Sequence, residues 1–338
     1  MRNNRVDILR FLGLAMIVLA HVNPPGIIFQ IRNFDVPLMV MISAVSFSLS
    51  YKQESYTSYL SKRVKRLLFP LWVFLTCYFA LVFFTGYPIK LPSVRTILES
   101  YFLLSGIGFV WIIRVFLFMA ALAPFIMNLH LKFKKNFHYF LIIGLVYLAY
   151  EIILLISKPF FLASKWMIMF ENIVLYLMPY AVIFAIGLRL NSINKKLLVY
   201  IAILALSTFG IMGLSFYLNS GLFIQTQAFK YPPSIYYLSY ALGISIVLWL
   251  VSGSIMIFIN KLKLTIPVLF IAQNSMWIYL WHIPLLNVIK LPFYFNYFLI
   301  FLTASLITFI QVRLIRYLVL PNVRSINIRK NINMIFTG

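Results

Sequence analysis

The chain has 338 residues, 63% hydrophobic and 10% charged, with a mean hydropathy of +0.97 and a formal net charge of +23. Soluble domains hold apolar and charged residues in much closer balance, so an ordinary water-soluble globule is excluded. The excess of Lys and Arg does not mark a nucleic-acid binder, because the basic residues sit in short clusters between apolar runs, where the positive-inside rule would put them.

Taken in chain order, apolar runs of about the 20 residues that cross a bilayer as a helix are expected at 8–23, 34–51, 67–86, 108–129, 138–156, 171–188, 198–217, 235–259, 266–283 and 294–317. The fold class is therefore an all-α polytopic membrane protein of about ten transmembrane helices. With the N-terminus placed inside, twenty-one basic residues fall in inner segments and seven in outer ones, and Arg114 falls within a span. That alternation supports ten spans with both termini cytoplasmic. Residues 1–320 are expected to form one membrane domain and 321–338 a short basic cytoplasmic tail. No cleavable signal peptide is expected, since the first apolar segment runs from Ile8 into "HVNPPG" with no small-residue cleavage site behind it. The single cysteine, Cys77, allows no intrachain disulfide and reads as a buried small hydrophobe.

The first span carries an unusual polar set. A helix turns about 100° per residue, so Arg10 and His21 lie on one stripe, about 16 Å apart along the axis. Asp7 precedes Arg10 by three residues and shares that face. Either residue alone could be interfacial, with Arg10 snorkelling to lipid phosphates. Together with an acid they look like the wall of a passage, because polar groups at membrane depth usually face a bundle interior or a wet cavity. The prolines after Asn23 should end this helix.

Further along, Arg63 and Arg66 are three apart and would form one cationic patch on a helix. Such a patch suits bidentate phosphate binding, and equally a topogenic contact with anionic lipid. Arg114, several residues into its span, needs water or a partner; pairing with Glu171 or Asp35 and contact with substrate are both open. His130 and His138 flank a lysine-rich loop and read as solvated. The segment "NSGLFIQTQAFKYPPS" (219–234) reads as a polar loop that could also meet a sugar. His282, Tyr279 and Ser275 share one helix face, with His282 near the depth of His21. No histidine–carboxylate cluster has metal-ligand spacing, so no metal is expected.

"RVDILRFLGLAMIVLAH" resembles the opening of the acyltransferase-3 family of integral membrane acyltransferases, whose signature separates a basic residue from a histidine by ten positions, usually with an aspartate upstream. "RNFDVPLMVMISAVSFSLSY" resembles its second span, although Ser43 is followed here by Ala44 where the family usually has glycine. "YLSKRVKRLLFPLW", "FVWIIRVFLFMAALAP" and "AQNSMWIYLWHIPLL" are similar to its arginine pair, its Trp-rich fourth span and its late Asn-Ser-Tyr-His segment. The pieces keep their order over residues 5 to 320.

The resemblance implies an acyl-coenzyme A-dependent O-acyltransferase, most simply an O-acetyltransferase using acetyl-CoA, in a bacterial cytoplasmic (inner) membrane. It implies catalytic roles for His21, Arg10 and Asp7, and places the coenzyme A phosphates on Arg63 and Arg66. His282, Tyr279, Ser275, Arg114, Lys230 and Asp35 are candidates to bind the acceptor; some family members carry a similar Lys-x-Pro-Pro stretch around Lys230. Imidazole titrates near neutrality, which suits His21 to take a proton from an acceptor hydroxyl. The expected partners are membrane lipids and a glycan or lipid-linked sugar, with no nucleic acid. A lipid or small-metabolite acceptor remains open, as does a transporter or flippase of an anionic solute.

Overall fold

The computed structural model describes residues 3–87, 89–104, 106–160 and 165–337; Arg2, counted among the inner charges, lies outside them, as does the Lys165 side chain. Fourteen α-helices carry the described chain. They are α1 (Asn4–Ala20), α2 (Gly26–Ile31), α3 (Asp35–Ser50), α4 (Tyr56–Thr85), α5 (Val94–Tyr101), α6 (Trp111–Lys132) and α7 (Asn136–Ser157), then α8 (Lys165–Arg189), α9 (Lys195–Ser220), α10 (Ile235–Lys261), α11 (Thr265–Gln273), α12 (Ser275–Val288), α13 (Phe293–Leu314) and α14 (Ile326–Thr337). No strand occurs among the described residues.

Every expected span coincides with helix, and among the described residues eight helices are long and apolar enough to cross a membrane. Two expected spans differ from that pattern. Helix α1 has 17 residues. Residues 266–283 divide into α11 and α12 at Asn274, whose side-chain amide donates to the Phe270 carbonyl at 2.7 Å while its own carbonyl accepts from Trp277 and Ile278. Helix α4, by contrast, is longer than its span. It starts at Tyr56 behind an N-cap Ser55, so Arg63 and Arg66 stand on the same continuous helix as the apolar run.

Two compact units are formed, one by residues 1–9, 26–53 and 118–258 and the other by 10–25, 54–117 and 259–338. In the first unit α3 packs closely along α8. A methyl group placed on Gly187 would stand 2.6 Å from the Met41 carbonyl oxygen and 2.8 Å from the Ala44 Cβ, so the backbones approach too closely for a larger residue. Alanine at position 44 is therefore accommodated by the glycine opposite. Helix α7 packs on α8 through Tyr139, Ile143, Val182, Ala185 and Ile186, and the Tyr139 hydroxyl donates to the Ala185 carbonyl at 2.8 Å.

Arg189, counted by sequence as one more inner charge, is buried at the end of α8. It donates to Asn136 Oδ1 at 2.7 Å and to the His130 carbonyl at 3.1 Å, and lies 4.0 Å over the Tyr139 ring. His130 is thus not solvated as expected: it is half-buried, and its Nδ1 accepts from Arg189 Nε at 3.3 Å. His138 is exposed. At the chain start, Arg5 reaches α10, donating to Ser252 Oγ and the Trp249 carbonyl, each at 2.8 Å.

In the second unit α12 packs on α13 and α4. The Trp281 indole donates to Gln311 Oε1 at 2.8 Å, and Gln311 donates onward to the Phe336 carbonyl at 2.8 Å. The segment after residue 320 carries α14, which packs against α4 and α13, and its Phe336 stacks on Trp277 with ring centroids 6.0 Å apart. Cys77 is exposed rather than buried. It shares a face of α4 with the exposed Leu81 and Phe84, an apolar surface of the kind a membrane helix turns to acyl chains.

Candidate active site

Helix α1 ends at Ala20, and Asn23, with φ of 51°, turns the chain into Pro24. The turn leaves His21 half-buried. In the same unit α12 presents His282, which is fully buried. The two rings stack with centroids 5.0 Å apart, and His21 Nδ1 lies 2.9 Å from His282 Nε2. Phe109 stands edge-on to both, at 4.9 Å from His21 and 5.9 Å from His282. Its carbonyl accepts the Tyr279 hydroxyl at 2.5 Å, which ties α12 to the turn before α6.

Hydrogen-bond bookkeeping fixes the protons. His282 Nδ1 lies against the Tyr279 carbonyl oxygen, which can only accept, so this nitrogen carries the proton. In the neutral ring the lone pair is then at Nε2, and the bond to His21 must be donated by His21 Nδ1–H. His21 Nε2 is left with the basic lone pair on the more accessible of the two rings. This is the arrangement a general base needs: a basic nitrogen on one side of the ring and a second nitrogen anchored by a partner that supports the charge arriving with a proton.

The turn that carries Phe109 is built around Gly106, with φ of +47°, where a Cβ would meet Ser100 Cα at 2.6 Å. Arg114 follows one turn into the unit's part of α6. It is buried and donates to the Leu103 carbonyl at 3.0 Å, so one of its tasks is to hold this turn. Ser275 opens α12, half-buried, a helical turn before Tyr279. Of the residues singled out by sequence, His21, His282 and Tyr279 are thus brought together, with Phe109 as a neighbour that sequence reasoning passed over. Nothing marks one phenylalanine among 33.

Asp7 is buried and Arg10 half-buried on α1. On α4, Arg63 is half-buried over the Tyr59 ring at 5.4 Å, and Arg66 is exposed. Neither pairs with a carboxylate among the described residues; the nearby Glu54 is taken by Lys62. Two arginines one turn apart without a carboxylate partner could hold phosphate oxygens.

Asp35 and Lys230 are brought together in the other unit, in a second polar cluster. Asp35 Oδ2 accepts from Arg32 Nη1 at 2.8 Å, and Asp35 Oδ1 accepts from Lys230 Nζ at 3.1 Å and from the Val36 amide at 2.8 Å. Lys230 also donates to Asn33 Oδ1 at 3.2 Å, while Asn33 Nδ2 donates to Thr226 Oγ1 at 2.9 Å. Gln30 Oε1 accepts from the Thr226 amide at 2.9 Å. All seven residues are at most 9% exposed. Segment 219–234 is therefore no free polar loop but is anchored through buried groups. Burial pushes the Lys230 ammonium down to about 8, against the opposing pull of Asp35. The sequence signal for Arg32 is its spacing of three from Asp35.

Among known families, the model Acyl_transf_3, an acyltransferase domain, matches residues 3–314. No curated protein and no solved structure matches the chain.

Proposed function

Since this chain belongs to the acyltransferase-3 family and is a multi-pass membrane acyltransferase, we propose that it moves an acetyl group from cytoplasmic acetyl-CoA to a hydroxyl of a cell-surface polysaccharide or its lipid-linked precursor, in a bacterial inner membrane. The observation that carries the reading is the His21–His282 pair at 2.9 Å, with His282 anchored on the Tyr279 carbonyl. His21 Nε2 takes the acceptor's hydroxyl proton as its oxygen attacks the thioester carbonyl. The carbon–sulfur bond breaks, and the proton passes to the departing thiolate, giving ester and free coenzyme A. The imidazolium formed in between is stabilised through Nδ1–H by His282 Nε2, which makes His282 a positioning residue.

Arg63 and Arg66 bind the donor's phosphates. Arg10, on α1, orients the donor, and Asp7 lies on its face one turn earlier. Tyr279 and Arg114 hold the turn that cages the histidines, and Ser275 extends the same α12 face toward the acceptor.

The test is the acetyl content of surface polysaccharide in a deletion strain complemented with wild type, His21→Ala, His282→Gln or Arg63→Ala/Arg66→Ala, at matched membrane protein levels. Wild type should restore acetylation, His21→Ala should not, and His282→Gln should restore a small fraction. Full restoration by His21→Ala removes the assigned base. Unchanged glycans in the deletion strain move the acceptor to a lipid or small metabolite.

A further inference from the structure

The cluster around Asp35 has an imbalance that its own residues do not resolve. Two cations, Arg32 and Lys230, meet one carboxylate, and all three are about 2% exposed. Every side-chain acceptor in it is used: both oxygens of Asp35, Oδ1 of Asn33, and Oε1 of Gln30 and Gln227. Donors remain over. Arg32 Nε and Gln30 Nε2 have no hydrogen-bond partner, and two of the three ammonium protons of Lys230 are engaged.

Aromatic rings line the cluster: Phe29 lies 3.9 Å from the Arg32 guanidinium and Tyr231 5.8 Å from Lys230 Nζ. Lys230 Nζ lies 5.6 Å over the Tyr237 ring, and the wholly buried Tyr180 and Tyr237 hydroxyls lie close to one another without completing a hydrogen bond of ordinary geometry. A buried positive charge in excess is costly, as are buried donors without acceptors. A water molecule answers a donor but not the charge. A surplus of both is the chemistry of an anion site.

We propose that this cluster binds one compact oxyanion, a phosphate or carboxylate group, through Arg32, Lys230 and the hydroxyls of Tyr180 and Tyr237. Arginine supplies the planar donor edge and lysine the point charge. Asp35 sets the spacing of the two cations and leaves one positive charge uncompensated for the ligand. The binding needs no acyl donor.

The test is thermal melting of the purified full chain in detergent near neutral pH, with sodium phosphate, sodium acetate or glucose 1-phosphate against sodium chloride at matched ionic strength. At about 100 times the apparent Kd, at least one of the three should raise Tm saturably by about 2 °C or more over chloride. Tyr237→Phe and Tyr180→Phe keep the charges and lose only a hydroxyl each, and together they should weaken the apparent Kd about tenfold or more. Lys230→Met should lose the shift altogether. A larger shift with glucose 1-phosphate than with phosphate assigns the group to a sugar phosphate; equal shifts assign it to the free ion, and a shift with acetate alone to a carboxylate. Wild-type protein that melts alike in all four salts overturns the proposal, as does a shift that the two tyrosine variants keep in full. With no acyl donor present, either result leaves the transferase reading untouched.

Discussion

In one unit a half-exposed His21 leans on a buried His282 at 2.9 Å, whereas in the other Asp35 is gripped by Arg32 at 2.8 Å and Lys230 at 3.1 Å with almost nothing exposed. The difference is one of charge. Neutral imidazoles can be withdrawn from water at modest cost, and their two nitrogens let one be anchored while the other stays available. Full charges withdrawn from water need a counter-charge, and here one carboxylate supplies it to two cations. Loss of a histidine should therefore cost rate and spare the fold, while loss of Asp35 should cost the fold.

His21→Ala breaks the first half of that contrast. Acyl transfer should fall about 100- to 10,000-fold while the melting temperature stays close to wild type; a large drop in Tm would make His21 structural. Asp35→Ala breaks the second half by leaving Arg32 and Lys230 buried without their acid. Stability should fall by about 3–5 kcal/mol, read as a lowered Tm in detergent, and an unchanged melt would show that the ion pairs contribute nothing. Gly187→Ala is a control without charge. The methyl meets the Met41 carbonyl oxygen at 2.6 Å, and the overpacking should cost about 1–3 kcal/mol with activity at permissive temperature retained.

The smallest expected effect concerns pH. Lys230 is held at about 8, below its ordinary 10.5. Between those values the unfolded chain binds the extra proton, so the contribution of Lys230 to stability rises as pH increases through the window and is lowest below it. Comparing melts of wild type and Lys230→Met across that range isolates the effect, and parallel curves would contradict it.

Local pairs were legible in the sequence because a helix brings residues three or four apart onto one face. Arg63 with Arg66 and Tyr279 with His282 stand as their spacing requires, and the ten apolar runs all fall on helices. The break at Asn274 falls on three polar residues in a row, Gln273, Asn274 and Ser275, a local signal that the apolar average of the whole run conceals. The histidine contact spans 261 positions and the Asp35–Lys230 pair 195. Sequence could place His282 near the depth of His21, but nothing in either segment states that the rings meet. Composition likewise promised a buried Cys77 because it cannot tell a helix face turned to lipid from one turned to protein.

With four histidines in the chain, nitrogen NMR of histidine-labelled protein can read the tautomers directly, with His21→Ala and His282→Gln supplying the assignments. His21 and His282 should both carry the proton at Nδ1, with Nε2 of His21 resonating as an unprotonated nitrogen that shifts when acid is added. A His21 ring protonated at Nε2 and bare at Nδ1 would leave no base facing the acceptor and would contradict the mechanism.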